Sequence, residues 1–226
     1  IAKAASVAPA VTPMVRIPVN GVEMAQWQAK QALDIGCYGI VFPHISTVEE
    51  AANAVGACRY PRLKSAAHYE PSGIRGDGPT AAARYWGLSQ QEYYQKADVW
   101  PLNPRGEIML GVKIEDHVGL EHAEEIARVP GLCFAEWGPR DTSYSSGHLD
   151  VAFDYGRKPG VVQPPELAAA AHRVINAARA NHLHILDNAQ PDDILAQLAA
   201  GIDIIAGGEQ AVSDIGRKRT GRVMPW

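Results

Sequence analysis

The sequence predicts an α/β fold of the (β/α)8, or TIM, barrel type. Short, continuously apolar segments alternate with helical patterns along most of the 226 residues. Strands without polar alternation belong to parallel sheets covered on both faces. The segments "CYGIVFP", "GLCFAEWG" and "GIDIIAGG" share one design: a glycine or small turn, four or five apolar residues, then a polar tip. Such repetition suits a barrel, where function gathers at the C-terminal strand ends. A doubly wound open sheet is the runner-up, weakened because no GxGxxG follows a first strand.

In chain order, "VTPMVRIPV" (11–19) reads as a strand, and "MAQWQAKQALDIG" (24–36) as a helix stopped by Gly36. "YGIVFPHI" (38–45) is a strand. "STVEEAANAVGAC" (46–58) is a helix whose N-cap is Ser46 or Thr47, with a Glu three residues on in the capping-box pattern. "IMLGVKIE" (108–115), "LCFAEWG" (132–138), "LHILDNA" (183–189) and "IDIIAGG" (202–208) are strands. "GLEHAEEIARV" (119–129), "PPELAAAAHRVINAARAN" (164–181), "PDDILAQLAAG" (191–201) and "EQAVSDIGRKRTG" (209–221) are helices, the second with Pro in its first turn. Residues 59–107 break the alternation and read as a long loop rich in Gly, Pro and aromatics, of the kind that is more often functional than structural.

Six expected strands are two short of closure. Two βα units of about 30 residues each would bring the chain close to the ~250 residues typical of the barrel. The chain opens on Ile1, in what reads as the tail of a helix ("IAKAASVAP"), so the first one or two βα units are expected to be missing. Residues 1–226 are taken as a single TIM-barrel domain, with the loop at about 59–107 inserted and a C-terminal helix at about 209–221.

Hydrophobic residues make up 46% and charged residues 20%, ordinary values for a globular protein. The net charge of −4 gives no electrostatic attraction for nucleic acid or an anionic membrane. The basic "GRKRTGR" (216–222) reads as a solvated helix end. The cysteines number three, without CxxC spacing, and Cys37 and Cys133 lie in apolar runs as small core residues. With no apolar run of membrane-spanning length and no signal peptide in view, a reducing cytoplasm is expected.

The informative stretch is "IMLGVKIED" (108–116). A buried strand ends here in Lys113 and Glu115, which point to the same side. A carboxylate there must be paired or metal-bound. Lys113–Glu115 pairing, or Glu115 capping the next helix, would account for it. The next strand, "LCFAEWGPRDTS", also leads to a carboxylate, Asp141, 26 residues after Glu115. Two carboxylates at one mouth suit an oxygen-preferring cation such as Mg²⁺ or Mn²⁺. Arg16, at the end of "VTPMVRI", is a cation able to grip a carboxylate with a two-pronged hydrogen bond. A metal and an Arg together make a cradle for a 2-oxo acid.

These residues carry a resemblance. "VRIPVN", "ALDIGCYGIVFPHISTVEEAANAVGACRYP", "GIRGDG", "VKIED" and "GLCFAEWGPRDTS" are similar to class II pyruvate-dependent aldolases of the HpcH/HpaI aldolase/citrate lyase family, the hydroxy-oxo-heptanedioate aldolases and their relatives. The resemblance runs from about Val11 to about Gly208. It implies a barrel of the phosphoenolpyruvate/pyruvate type, a divalent metal and a pyruvate enolate intermediate. It also implies pyruvate and an aldehyde as substrates, and a homo-oligomer, often a hexamer or trimer of dimers. By position, Glu115 and Asp141 match the metal ligands, and Arg16 matches the arginine that binds pyruvate. Gly138, Pro139 and Arg140 match the turn whose backbone N–H groups receive the substrate carboxylate. Asp34 matches the aspartate that partners the catalytic histidine. That histidine belongs upstream of this chain's first residue, Asp34 follows a longer run than the pattern has, and Lys113 and Arg140 stand where relatives carry Gln and Ala.

Lys113 is therefore expected to hold a different substrate group. His44, ending its strand at the same mouth, is expected either to bond substrate or a metal-bound water, or to bond only backbone. His117 and His122 lack an HExxH pattern, and His182 and His184 lie at the wrong end of their strand. Arg75 of "GIRGDG" is a candidate to reach the mouth, Asp187 to cap the helix that follows it, and Tyr85, Trp86, Tyr93 and Tyr94 to pack an interface or lid. The expected activity is a metal-dependent aldolase that cleaves or forms 4-hydroxy-2-oxo acids. The alternatives are a citryl- or malyl-thioester lyase or another pyruvate-enolate enzyme, and, in a different class, a non-catalytic barrel that binds a 2-oxo acid.

Overall fold

The computed structural model describes residues 12–18, 26–149 and 164–222. The ends of the expected 11–19 strand, the start of the 24–36 helix and the N-terminal helix tail lie outside them. The strands are β1 (Met14–Arg16), β2 (Gly39–Phe42), β3 (Val99–Trp100), β4 (Ile108–Ile114), β5 (Phe134–Trp137), β6 (His184–Asn188) and β7 (Ile204–Ala206). All pair in parallel. Their spatial order is β1-β2-β4-β5-β6-β7, with β3 beside the start of β4. Spatial order thus follows chain order without reversal. A doubly wound sheet would reverse at a switch point.

The two faces are filled differently. Ile40, Phe42, Leu110, Val112, Ile114 and Ile185 form the main core with helices α1 (Gln26–Asp34), α2 (Val48–Cys58) and α8 (Pro165–Ala180). On the other face a small cluster is built around Val41, Phe134 and Leu186, with Met14, Met109, Ile204 and Ala206 against it. Strands from β1 to β7 contribute to this cluster and, among the described residues, no helix does. So few side chains can draw on so many strands only if the sheet curls. This is the expected barrel arrangement: helices cover the convex face, and the concave face is a barrel interior filled by its own side chains.

Gly111 and Phe134 are register partners in that interior. A Cβ on Gly111 would lie 1.9 Å from the Phe134 ring. Glycine here is volume withheld so that Phe134 can fill the middle of the barrel.

Local signals set the helix ends. Thr47 caps α2: its Oγ1 accepts the Glu50 N–H at 3.2 Å, and Glu50 Oε2 accepts the Thr47 N–H at 3.1 Å. The helix expected at 119–129 is instead two short ones, α5 (His117–Glu121) and α6 (Ala123–Ile126), meeting at His122. α7 (Pro139–Ser145), α9 (Ile194–Ala199) and α10 (Gln210–Thr220) complete the set.

The expected loop at 59–107 carries β3 and two seven-residue helices, α3 (Thr80–Trp86) and α4 (Gln90–Lys96). Arg59, 1% exposed, organises this segment. Its guanidinium donates to Asp98 Oδ1 at 2.7 Å and to the carbonyls of His68 and Pro71 at 2.6 and 2.7 Å. Trp86 and Tyr93 are core residues rather than interface or lid. Trp86 stacks on Tyr38 at 4.1 Å and donates Nε1–H to the Gly36 carbonyl at 3.0 Å. Tyr85 is partly exposed, and Tyr94 meets Tyr60 edge-on at 4.8 Å. Cys37, Cys58 and Cys133 are all buried free thiols.

The interior packing makes a direct prediction. Gly111→Ala should destabilise the protein by about 1–3 kcal/mol through overpacking, measured by urea denaturation. Adding Phe134→Leu should recover part of that loss, because the smaller side chain vacates the contested volume.

Candidate active site

The C-terminal ends of β4 and β5 form one mouth. Their register sets Lys113 opposite Glu136, two residues above the Gly111–Phe134 pair. Alternation keeps Lys113, Glu136 and Glu115 on the interior side. Lys113 Nζ lies 3.3 Å from Glu115 Oε2 and 3.2 Å from Glu136 Oε1. The charges ending the strand are thus a paired group above an apolar floor. Glu115 is not the helix cap. Asp116 has that role in α5, its Oδ1 accepting the Gly119 N–H at 2.7 Å.

His44 joins from the end of β2. Its φ of 52° is left-handed, a conformation in which His is enriched several-fold among non-glycine residues. The turn directs its N–H to Glu115 Oε1 at 3.2 Å and sets its Nε2 3.5 Å from the same oxygen. Asp141 comes from the first turn of α7. A Cβ on Gly138, the N-cap of α7, would sit 2.0 Å from Glu115 Oε2, so only glycine lets this helix start so close to the tip of β4. Ligand atoms of His44, Glu115 and Asp141 all lie within 4.8 Å of one another.

Burial pushes the Glu115 carboxyl up to about 7; Asp141 adds to the rise, while Lys113 and the His44 amide oppose it. Glu136 is also raised by burial, with Lys113 and Arg16 pulling it back. Arg16 is exposed at the end of β1, where it pairs in register with Val41, and its charge acts on Glu136. A divalent cation fits this donor set. Glu115 is 1% exposed, and its Oε2 accepts no hydrogen bond, meeting only the Lys113 ammonium at 3.3 Å; carboxylate oxygens are the ligands hard cations take.

Of the residues singled out in the sequence, His44, Lys113, Glu115, Gly138 and Asp141 come together, while Arg16 makes no hydrogen bond or ion pair with them. In the turn 138–140, Pro139 has no N–H and the Gly138 N–H is donated to the Ile114 carbonyl at 3.3 Å. Arg140 therefore supplies the amide that this turn can offer an anion.

Asp34 does not reach the mouth. It ends α1, ahead of β2, whereas His44 follows β2 at the other end of the strand. Its Oδ1 pairs with the buried Arg75 at 2.7 Å, and its Oδ2 pairs with Lys30. Arg75 is held there too, donating to Tyr93 Oη at 3.0 Å. His117 bonds Ser145, His122 bonds the Val118 carbonyl, and His184 pairs with Asp203 at 3.0 Å, so none joins the site. Asp187 does not cap α9: Asp193 is its N-cap residue, while Asp187 Oδ1 accepts the Asn188 N–H at 2.7 Å. Glu136 was not singled out in the sequence. Its signal was a lone charge in an apolar strand, two residues before Gly138 and so on the same face.

The family model for HpcH/HpaI aldolase/citrate lyase matches residues 2–213. The chain belongs to this family. A 5-keto-4-deoxy-D-glucarate aldolase of Escherichia fergusonii is 30% identical over 92% of this chain and 68% of its own length. A hydroxypyruvate/pyruvate aldolase of Deinococcus radiodurans is 36% identical over 62% of this chain and 43% of its own. The crystal structure of a HpcH/HpaI family protein from Burkholderia cenocepacia superposes with a TM-score of 0.67 at 27% identity, covering 93% of this chain and 72% of the other. The curled sheet is therefore the family's barrel architecture, and the family is one of lyases.

Two predictions follow from this geometry. Asp34→Ala should lower thermal stability, because it leaves the buried Arg75 charge unpaired, and should leave divalent-metal affinity unchanged in calorimetry. The raised Glu115 carboxyl sets a pH window. Without metal, the folded state favours protonated Glu115, so stability is full below the ordinary carboxylate range near 4.5 and falls as pH rises through about 7. Metal affinity should run the other way, rising about tenfold per pH unit up to about 7 and then levelling, because the proton competes for the ligand. Melting curves in chelator and metal titrations between pH 5 and 8 check both trends, and Glu115→Gln should flatten the first.

Proposed function

We propose that this chain carries the site of a divalent-metal-dependent aldolase that cleaves or forms 4-hydroxy-2-oxo acids through a pyruvate enolate. The observation that carries the proposal is the pair of carboxylates, Glu115 and Asp141, close together after successive strands, with Lys113 beside Glu115. Glu115 and Asp141 would hold Mg²⁺ or Mn²⁺, which when bound acts as a Lewis acid toward the 2-oxo group. Arg16 would grip the substrate carboxylate in a two-pronged hydrogen bond. The Arg140 amide, at the start of α7, offers that carboxylate a further donor. Lys113 presents its ammonium where negative charge grows as the C3–C4 bond breaks. In cleavage the 4-hydroxyl loses its proton, the aldehyde leaves, and C3 takes up a proton to give pyruvate.

The relatives' names make 5-keto-4-deoxy-D-glucarate, hydroxypyruvate and pyruvate the substrates to try. We read the chain as a single TIM-barrel domain of a homo-oligomeric cytoplasmic enzyme. Exposed apolar side chains at Trp27, Ile35, Leu63 and Ile74 and the three buried free thiols support the last two points. No described helix is long and apolar enough to cross a membrane.

The test is pyruvate release from oxaloacetate, which reports enolate formation independently of the aldehyde. Release should require Mg²⁺ or Mn²⁺, stop with chelator, and fall about a hundredfold or more in Glu115→Gln. Equal rates in both proteins would overturn the assignment. Calorimetric pyruvate binding without turnover would point to a binding barrel instead.

A further inference from the structure

We propose that His44 is a third metal ligand and that it turns this site toward imidazole-preferring divalent ions, such as Fe²⁺, Co²⁺, Ni²⁺ and Zn²⁺, over Mg²⁺. The inference rests on the metal site proposed above and concerns which ion it holds.

Two carboxylates and water make an all-oxygen site that suits Mg²⁺ and Mn²⁺, whereas an imidazole nitrogen adds a donor that suits the later transition ions. The geometry allows that donor to share an ion with Glu115. Two ligands bound at about 2.1 Å lie roughly 3.0–3.4 Å apart, and His44 Nε2 is 3.5 Å from Glu115 Oε1. Asp141 lies within the same 4.8 Å span. The left-handed turn at residue 44 aims both the backbone N–H and the ring at one carboxylate, so the ring's position is set by the backbone. Among the described residues, Glu115 is the one ion-pair or hydrogen-bond partner of the ring. A second observation is Glu115 Oε2, which is buried and accepts no hydrogen bond, its cationic neighbour being the Lys113 ammonium at 3.3 Å.

Charge points the same way. Lys113 offsets part of the negative charge of Glu115 and Glu136. An ion held by charge alone loses affinity through that repulsion. A nitrogen donor contributes binding that does not depend on the site's net charge.

Equilibrium dialysis of the intact chain against Mg²⁺ and Co²⁺ separately, with the visible spectrum of the Co²⁺ form, tests this. His44→Gly keeps the left-handed backbone unstrained, and His44→Asn is a second variant whose side chain tolerates the same conformation. In His44→Gly, Co²⁺ affinity should fall about 10- to 100-fold and Mg²⁺ affinity should change less than about threefold, with the Co²⁺ bands shifted. His44→Asn, which keeps an oxygen donor, should lose Co²⁺ affinity while holding Mg²⁺. Equal changes for both ions, or an unchanged Co²⁺ spectrum, would overturn the role of His44. Unaltered binding of both ions in Glu115→Gln would overturn the site itself. Oxaloacetate turnover measured in parallel separates either result from failure of the aldolase reading.

Discussion

Phe134 fills the barrel interior at the level where Gly111 withholds its own volume, and what lies above depends on that steric exchange. With Val41 and Leu186 beside it, Phe134 makes a buried apolar floor. The next layer up is Lys113 and Glu136. Both are buried, so they satisfy each other or turn toward the mouth. The side-chain alternation that places Phe134 in the interior also places Glu136 and Gly138 there. The apolar floor and the charged mouth are thus consequences of one strand register.

The mouth is a balance of charges that do not cancel. Glu115 and Glu136 face Lys113, with Asp141 beside Glu115. Lys113 sits between two of the acids, yet burial still raises both of them. Glu115 is enclosed by Gly138 on one side and the His44 turn on the other. A carboxylate kept this dry carries a strong preference for a cation or a proton. Its environment, more than its identity, makes it the centre of the site.

The parts legible in the sequence were those fixed by neighbours in the chain. The capping box at Thr47 and Glu50 and the strand 108–115 were readable because their signals span only a few residues. The mouth, with Glu115, Asp141, His44 and Lys113, was readable because alternation and strand order in a parallel barrel leave little choice of where tips point. What was not legible depends on partners distant in sequence. Asp34 is committed to Arg75, 41 residues away. Trp86 and Tyr93 are drawn into the core by Tyr38 and the Gly36 and Leu33 carbonyls, which nothing near them in sequence reveals. The segment 59–107 looks loop-like because its order comes from Arg59 collecting carbonyls and Asp98 across the chain. Glu136 was readable by parity and was hidden by the apolar run around it.

The backbone at residue 44 restricts what evolution can place there. A left-handed conformation is comfortable for glycine and tolerated by Asn, Asp and His, while β-branched or bulky residues are strained in it. Glycine aside, each member of that short set carries a donor atom: an amide oxygen, a carboxylate or an imidazole nitrogen. If His44 is a ligand as proposed, drift at this position would exchange one ligand chemistry for another without rebuilding the turn. The preference of such a site for particular metals would then follow the metals a habitat supplies while the barrel beneath stays the same.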